Sequence, residues 1–160
     1  MKSIRLIPPA RTFFEELKIK PANRFPQGLF VKGGTKSKLL RGGQMPQGLI
    51  SLQNNQSSLS DDVLGDAFTM IGIGCDPIAV LDKETQDQWR KIGGQFLYLS
   101  TSHLSSENLH VNTIKPIDDF ISSVPQDWIV ITRPDRVIMH DGPLSQTPKI
   151  INQVLNMLKE

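Results

Sequence analysis

At 160 residues the chain amounts to one domain, long enough to bury roughly two-thirds of the surface its unfolded form exposes. An apolar content of 38%, 21% charged residues, 12 Gly and 11 Pro describe a globular chain with a loop-rich fraction and exclude wholesale disorder. The net charge of +2 conceals an asymmetry: residues 1–60 carry ten Lys or Arg against two acids, and residues 61–160 carry eight against fourteen.

No window approaches the roughly 18 apolar residues of a membrane span, and the start, with Pro8-Pro9 followed by charges, lacks the apolar run of a signal peptide. A soluble, cytoplasmic protein with no membrane partner is expected. Cys75 is the single cysteine, which excludes an internal disulfide, a CxxC pair and a cysteine-built zinc site. The basic charges lie scattered among Pro and Gly without a recognition helix or interleaved aromatics, so no nucleic-acid partner is expected.

In chain order, Ala10–Lys18 predicts a short helix with Phe13, Phe14 and Leu17 on one face. Pro21, Pro26, Gly28, Gly33-Gly34 and Gly42-Gly43 then interrupt regular structure, so residues 1–47 read as a basic arm and linker laid over another surface. The domain proper is expected over 48–160. It opens with a strand at Leu49–Leu52, a turn at Asn54-Asn55 and a helical turn from Leu59 to Gly65. Ala67–Ile73 is nearly continuous in apolar residues, the mark of a strand buried on both faces.

Asp76 followed by Pro77 predicts a helix start, and Asp82 offers a second cap for the segment ending at Lys91. Gln95–Ser100 is the next strand, followed by a polar loop through His103 and His110 and a short helix over 117–122. Trp128–Thr132, the turn Arg133-Pro134-Asp135-Arg136 and Val137–His140 form a predicted β-hairpin. Thr147 is expected to cap a final helix with Pro148 at its first position and a stripe of Ile150, Ile151, Val154, Leu155 and Leu158. A βαβ unit followed by a hairpin and a closing helix leaves few topologies, led by a thioredoxin-like α/β three-layer sandwich with a mixed central sheet, preceded by an extended N-terminal arm.

That fold places redox chemistry just after its first central strand, where this chain reads Cys75-Asp76-Pro77-Ile78. Ile78 stands where a resolving cysteine would be, so an internal dithiol mechanism is impossible. A helix N-terminus would favour the Cys75 thiolate and the neighbouring Asp76 would oppose it, leaving Cys75 a weak catalytic candidate and more simply a small semi-buried cysteine. His103, His110 and His140 read as surface histidines, and no metal site is expected. The acid pairs Asp61-Asp62 and Asp118-Asp119 read as caps or solvated helix starts. No GxGxxG, GxxxxGK[ST] or GxSxG occurs, so no cofactor-binding residue is assigned in this chain. Trp89 and Trp128 read as core first and partner anchors second.

Several segments together resemble the C-terminal region of class A FAD-dependent aromatic-ring hydroxylases, the group containing phenol hydroxylase and 3-(3-hydroxyphenyl)propionate hydroxylase. They are Gly43-Gln44-Met45-Pro46-Gln47, the run from Asp61-Asp62-Val63-Leu64-Gly65 through Gly72, Trp89 ahead of a strand, and Arg133-Pro134-Asp135-Arg136-Val137. The resemblance implies a thioredoxin-like lobe without a redox CxxC, serving packing, subunit contact or a lid. FAD and NAD(P)H are implied for the full-length enzyme, which hydroxylates phenolic rings, and the flavin and substrate domain is the implied partner. No family catalytic residue falls on this chain. Phe13, Phe14, Arg133 and Arg136 then become docking candidates, and the isolated lobe is expected to form a homodimer or an arm-exchanged pair. The alternative is a peroxiredoxin-like or monothiol redox protein using Cys75.

Overall fold

A computed structural model describes residues 28–33, 37–101 and 111–159. The expected helix at 10–18, with Phe13 and Phe14, lies outside the described residues, as do His103 and His110. The elements are β1 (Leu49–Ser51), β2 (Ser57–Leu59), α1 (Ser60–Leu64), β3 (Thr69–Ile73), α2 (Lys83–Lys91), β4 (Gln95–Leu99), β5 (Asn112–Pro116), β6 (Trp128–Thr132) and β7 (Ile138–Pro143). A 3-10 turn, Leu144–Gln146, then leads into α3 (Thr147–Met157). All seven strands share one sheet in the order β2-β1-β5-β4-β3-β6-β7. Strand β3 is parallel to β4 and β4 to β5, while the remaining pairs are antiparallel, so the sheet is mixed.

Every residue of β3 and β6 is buried, and alternation along them sends side chains to two cores. Met70, Ile129, Ile131 and Met139 pack under α2 and α3 with Trp89, Ile150, Ile151, Val154 and Leu155. Ile71, Ile73, Leu97, Leu99, Val130 and Ile138 face the other way, where Leu64 of α1, Ile121 and Val124 cover them. Each such aliphatic side chain contributes about 1.5–3 kcal/mol on burial, so two covered faces account for a stable sheet of short strands. The three-layer arrangement is the one expected from the element pattern.

The segment before β1 belongs to the same body. The Val31 N–H donates to the Met139 carbonyl at 2.8 Å, Gly42 N–H to Ile138 O at 2.8 Å, Ile138 N–H to Gly43 O at 2.8 Å and Met45 N–H to Arg136 O at 2.9 Å. These bonds cover the outer edge of β7, which would otherwise present unpaired backbone groups. Phe30, Leu39 and Met45 are buried there.

Four expectations fail. Thr147 does not cap α3 but is its first residue, and its hydroxyl donates back to Leu144 O at 2.6 Å. Asp76-Pro77 does not start a helix: the Asp76 carboxylate accepts from Ile78 N–H at 3.0 Å and closes a turn, while Asp82 accepts from the backbone N–H of Thr85 at 2.7 Å and caps α2 instead. The helix expected at 117–122 is a series of turns. There Asp118 accepts from the backbone N–H groups of Leu49 and Phe120, competing with helical hydrogen bonding. Finally, Asn112–Pro116 is a strand where a polar loop was expected. Its one buried apolar side chain, Ile114, gives little alternation to read, and its pairing to β4 and β1 comes from tertiary structure.

Candidate functional site

The place where this fold could carry chemistry is the turn after β3. Gly74 has φ of +67° and donates its N–H to Leu99 O at 2.9 Å, so the chain bends sharply at the end of the parallel strands. A methyl group at Gly74 would collide with the Gln126 side chain, which is hydrogen-bonded to the Thr101 hydroxyl. Cys75 follows, 7% exposed, with its Sγ 3.7 Å from the Trp128 carbonyl oxygen.

Burial, then the carboxylates of Asp127 and Asp76, push the Cys75 thiol up to about 12. The helix that would have lowered it begins only at Lys83, eight residues further on. A thiol held in this way is protonated at neutral pH and is a poor nucleophile. Alkylation of the folded chain is therefore expected to run on the order of a thousandfold slower than that of a free cysteine, with the free rate returning in denaturant. Labelling of the folded chain at the free-thiol rate would contradict this environment.

The same turn does not fit a flavin or nicotinamide pyrophosphate. An anion there needs a glycine-rich turn delivering backbone N–H groups from a helix start, whereas Asp76 and Asp127 put two carboxylates beside Cys75. Among the described residues no cluster of His, Cys, Asp or Glu could hold a metal ion.

The docking candidates at the β6–β7 turn are engaged within the chain. Arg133 pairs with Asp135, and Arg136 Nε lies 3.1 Å from Asp61 Oδ2. Arg136 N–H donates to Arg133 O at 2.8 Å, closing the expected turn, with Arg136 in the left-handed region at φ +65°. Asp62 accepts from the Ser58 hydroxyl at 2.9 Å, so the acid pair 61–62 serves hydrogen bonding and an ion pair. Trp89 is fully buried and Trp128 is 7% exposed, which places both in the core.

His140 corrects the expectation of a surface histidine: it is 6% exposed on β7. Its Nδ1 lies 2.9 Å from the Asp141 backbone nitrogen and 3.2 Å from the Asp141 carbonyl oxygen, and its Nε2 lies 2.6 Å from Gln153 Oε1. Burial lowers its pKa, the Gln153 hydrogen bond opposes this, and the Arg41 charge lowers it further. The folded chain thus prefers neutral His140, whereas the unfolded chain takes up a proton near the ordinary value of about 6.5. Its contribution to stability is complete above that pH and is lost as pH falls below it. Urea midpoints are expected to drop between about pH 7 and pH 5, and to drop less in His140→Gln; an identical slope in the variant would contradict the assignment.

One constellation has no signature in the sequence. Asp141, with a fully buried side chain, accepts from Arg41 Nε at 2.8 Å, from the Ser37 hydroxyl at 2.6 Å and from Trp128 Nε1 at 3.0 Å, while Arg41 Nη2 donates to the Asp141 carbonyl at 3.0 Å. It fastens residues 37–41 onto β6 and β7.

The model of the HcaD C-terminal domain matches residues 42–157. The chain belongs to this family. As an HcaD C-terminal domain it is 26% identical over 162 residues to the 3-(3-hydroxy-phenyl)propionate/3-hydroxycinnamic acid hydroxylase of Shigella sonnei (strain Ss046), covering 97% of this chain and 28% of that protein. The enzyme of the same name from Escherichia coli (strain SMS-3-5 / SECEC) is also 26% identical, over 165 residues, with the same coverage. The chain therefore spans about 28% of the length of these curated relatives. Among solved structures, the flavin-dependent monooxygenase PieE, in complex with FAD and substrate, superposes with a TM-score of 0.58 at 15% identity, over 84% of this chain and 25% of PieE. A thiol:disulfide interchange protein from Bacteroides sp. gives 0.58 at 15% identity, over 76% of this chain and 92% of that one. At such identities these two likenesses establish the fold, which is thioredoxin-like. No described helix is long and apolar enough to cross a membrane.

Proposed function

We propose that this HcaD C-terminal domain is a non-catalytic structural, subunit-contact or lid lobe of an FAD- and NAD(P)H-dependent aromatic monooxygenase that hydroxylates phenolic substrates. The flavin and substrate domain lies outside this chain. The observation that carries the reading is the pairing of nearly full coverage here with 28% coverage of hydroxylases. The buried, acid-flanked Cys75 supports it, because the thiol lacks the environment that a peroxiredoxin-like or monothiol mechanism needs.

On this reading the lobe acts in the cytoplasm, with residues 1–47 as its arm and linker and residues 48–160 as its body, residues 37–47 being clasped onto that body. Phe13 and Phe14 bury apolar surface against the flavin domain, and in the isolated lobe they drive self-association. Arg133 and Arg136 act first within the β6–β7 turn and reach the partner second. Sequencing the DNA immediately upstream of the Met1 codon tests the proposal: a flavin-binding reading frame, fused or adjacent, is the expected result. A locus with none, together with peroxide turnover that disappears in Cys75→Ser, would overturn it in favour of the redox alternative.

A further inference from the structure

Three apolar side chains form one row across three neighbouring strands. Leu49 of β1 pairs in register with Leu59 of β2, and on its other side Ile117, just after β5, donates its N–H to Leu49 O at 2.8 Å. Leu59 is 41% exposed, Leu49 45% and Ile117 54%. Adjacent Ile50 is fully buried in the core under α1, so Leu49 points to the opposite face of the sheet, the one that α2 and α3 cover further along. The helix-side core contains no residue of β1, β2 or β5, which leaves this end of that face open among the described residues. Leu29, Leu40, Val80 and Ile92, also exposed, belong to no such strand row.

We propose that the row Leu59–Leu49–Ile117 is the surface on which the flavin-bearing body of the hydroxylase docks, an inference that rests on the lobe reading above. Three adjoining apolar side chains held by strand pairing form a rigid contact strip, which loses little conformational freedom on binding. The far edge of the sheet, β7, is already covered by the chain's own Val31 and residues 42–45, whereas the β2 edge has no such cover among the described residues. The size of the missing body is set by the relatives, of whose length this chain spans only 28%. The link is long enough. Twenty-seven residues precede Gly28, which lies beside Arg133 at the β6–β7 turn, and they reach at most about 90 Å. Six strand spacings, by comparison, are about 29 Å.

Hydrogen exchange of the complete hydroxylase, compared with that of the 160-residue chain alone, tests the surface. Expected is added protection of the backbone at 49–51, 57–59 and 115–117 in the complete enzyme, removed by the double substitution Leu49→Asp with Ile117→Asp and retained in Val80→Asp. All three positions are more than two-fifths exposed, and circular dichroism of each isolated variant checks that it folds. Protection elsewhere on the lobe but not at the row would overturn the proposal while leaving the lobe reading standing. Protection nowhere on the lobe would overturn both. Protection of the row in the isolated chain that fades on dilution would assign it to a second copy instead, and would also overturn the proposal.

Discussion

Asp141→Ala is expected to lower the unfolding free energy by about 3–5 kcal/mol, a large fraction of what a domain of this size possesses. The substitution removes the counter-charge of Arg41, itself 8% exposed, together with the acceptor used by the Ser37 hydroxyl and Trp128 Nε1. The pair as a whole adds little net stability, because taking both charges out of water costs nearly what their attraction returns. Breaking it takes the Asp141 carboxylate away from a guanidinium that stays in the interior, and that asymmetry produces the loss. Asp141→Asn, which keeps the shape and one acceptor oxygen, is expected to lose less. Urea denaturation measures both, and hydrogen exchange should show Gly42 and Ile138 losing protection as the segment lifts from β7. A change within about 0.5 kcal/mol for Asp141→Ala would mean that the clasp is not what fastens the linker segment.

Trp89→Ala is the second large effect, expected at about 3–5 kcal/mol. The indole is fully buried on α2, donates Nε1–H to Gln95 O at 3.0 Å and sits 6.3 Å from the Phe68 ring and 6.4 Å from the Phe96 ring. The Gly94 backbone lies directly against the ring, where a Cβ would collide with it, and the β3 and β6 residues around it are buried in a paired sheet, so relaxation around a smaller residue is only partial. The cavity therefore persists and its cost adds to the lost transfer energy. Trp89→Phe, which fills much of the space but gives up the hydrogen bond, should fall in between. A thermal midpoint for Trp89→Ala indistinguishable from that of the unaltered chain would return Trp89 to the role of a partner anchor.

What could be read from the chain follows from where the physics is local. Strand β3 announced itself because a strand covered on both faces must be apolar throughout, and α3 because its stripe repeats at helical spacing. The turn Arg133-Pro134-Asp135-Arg136 was legible because proline and aspartate specify turn geometry within four residues. Strand β5 was not, since Asn112–Pro116 is held by neighbours on both sides rather than by its own composition. The start of α2 moved because two aspartates competed and Asp82, with Thr85 three residues on, makes the closer cap. The Asp141 cluster was beyond reach for a different reason: Arg41 and Asp141 are 100 residues apart, and nothing in either neighbourhood marks the other. Cys75 was placed correctly after the central strand, but its chemistry depended on a helix start that lies at Lys83.

On the proposed lobe reading, the flavin chemistry belongs to a stretch of protein that these residues do not include. The most direct test of that reading is the visible spectrum and turnover of the purified 160-residue chain after incubation with FAD and removal of the unbound cofactor. A colourless protein that consumes no NADPH when given a phenol and dioxygen is the expected result; a yellow preparation that oxidises NADPH and hydroxylates the ring would contradict it.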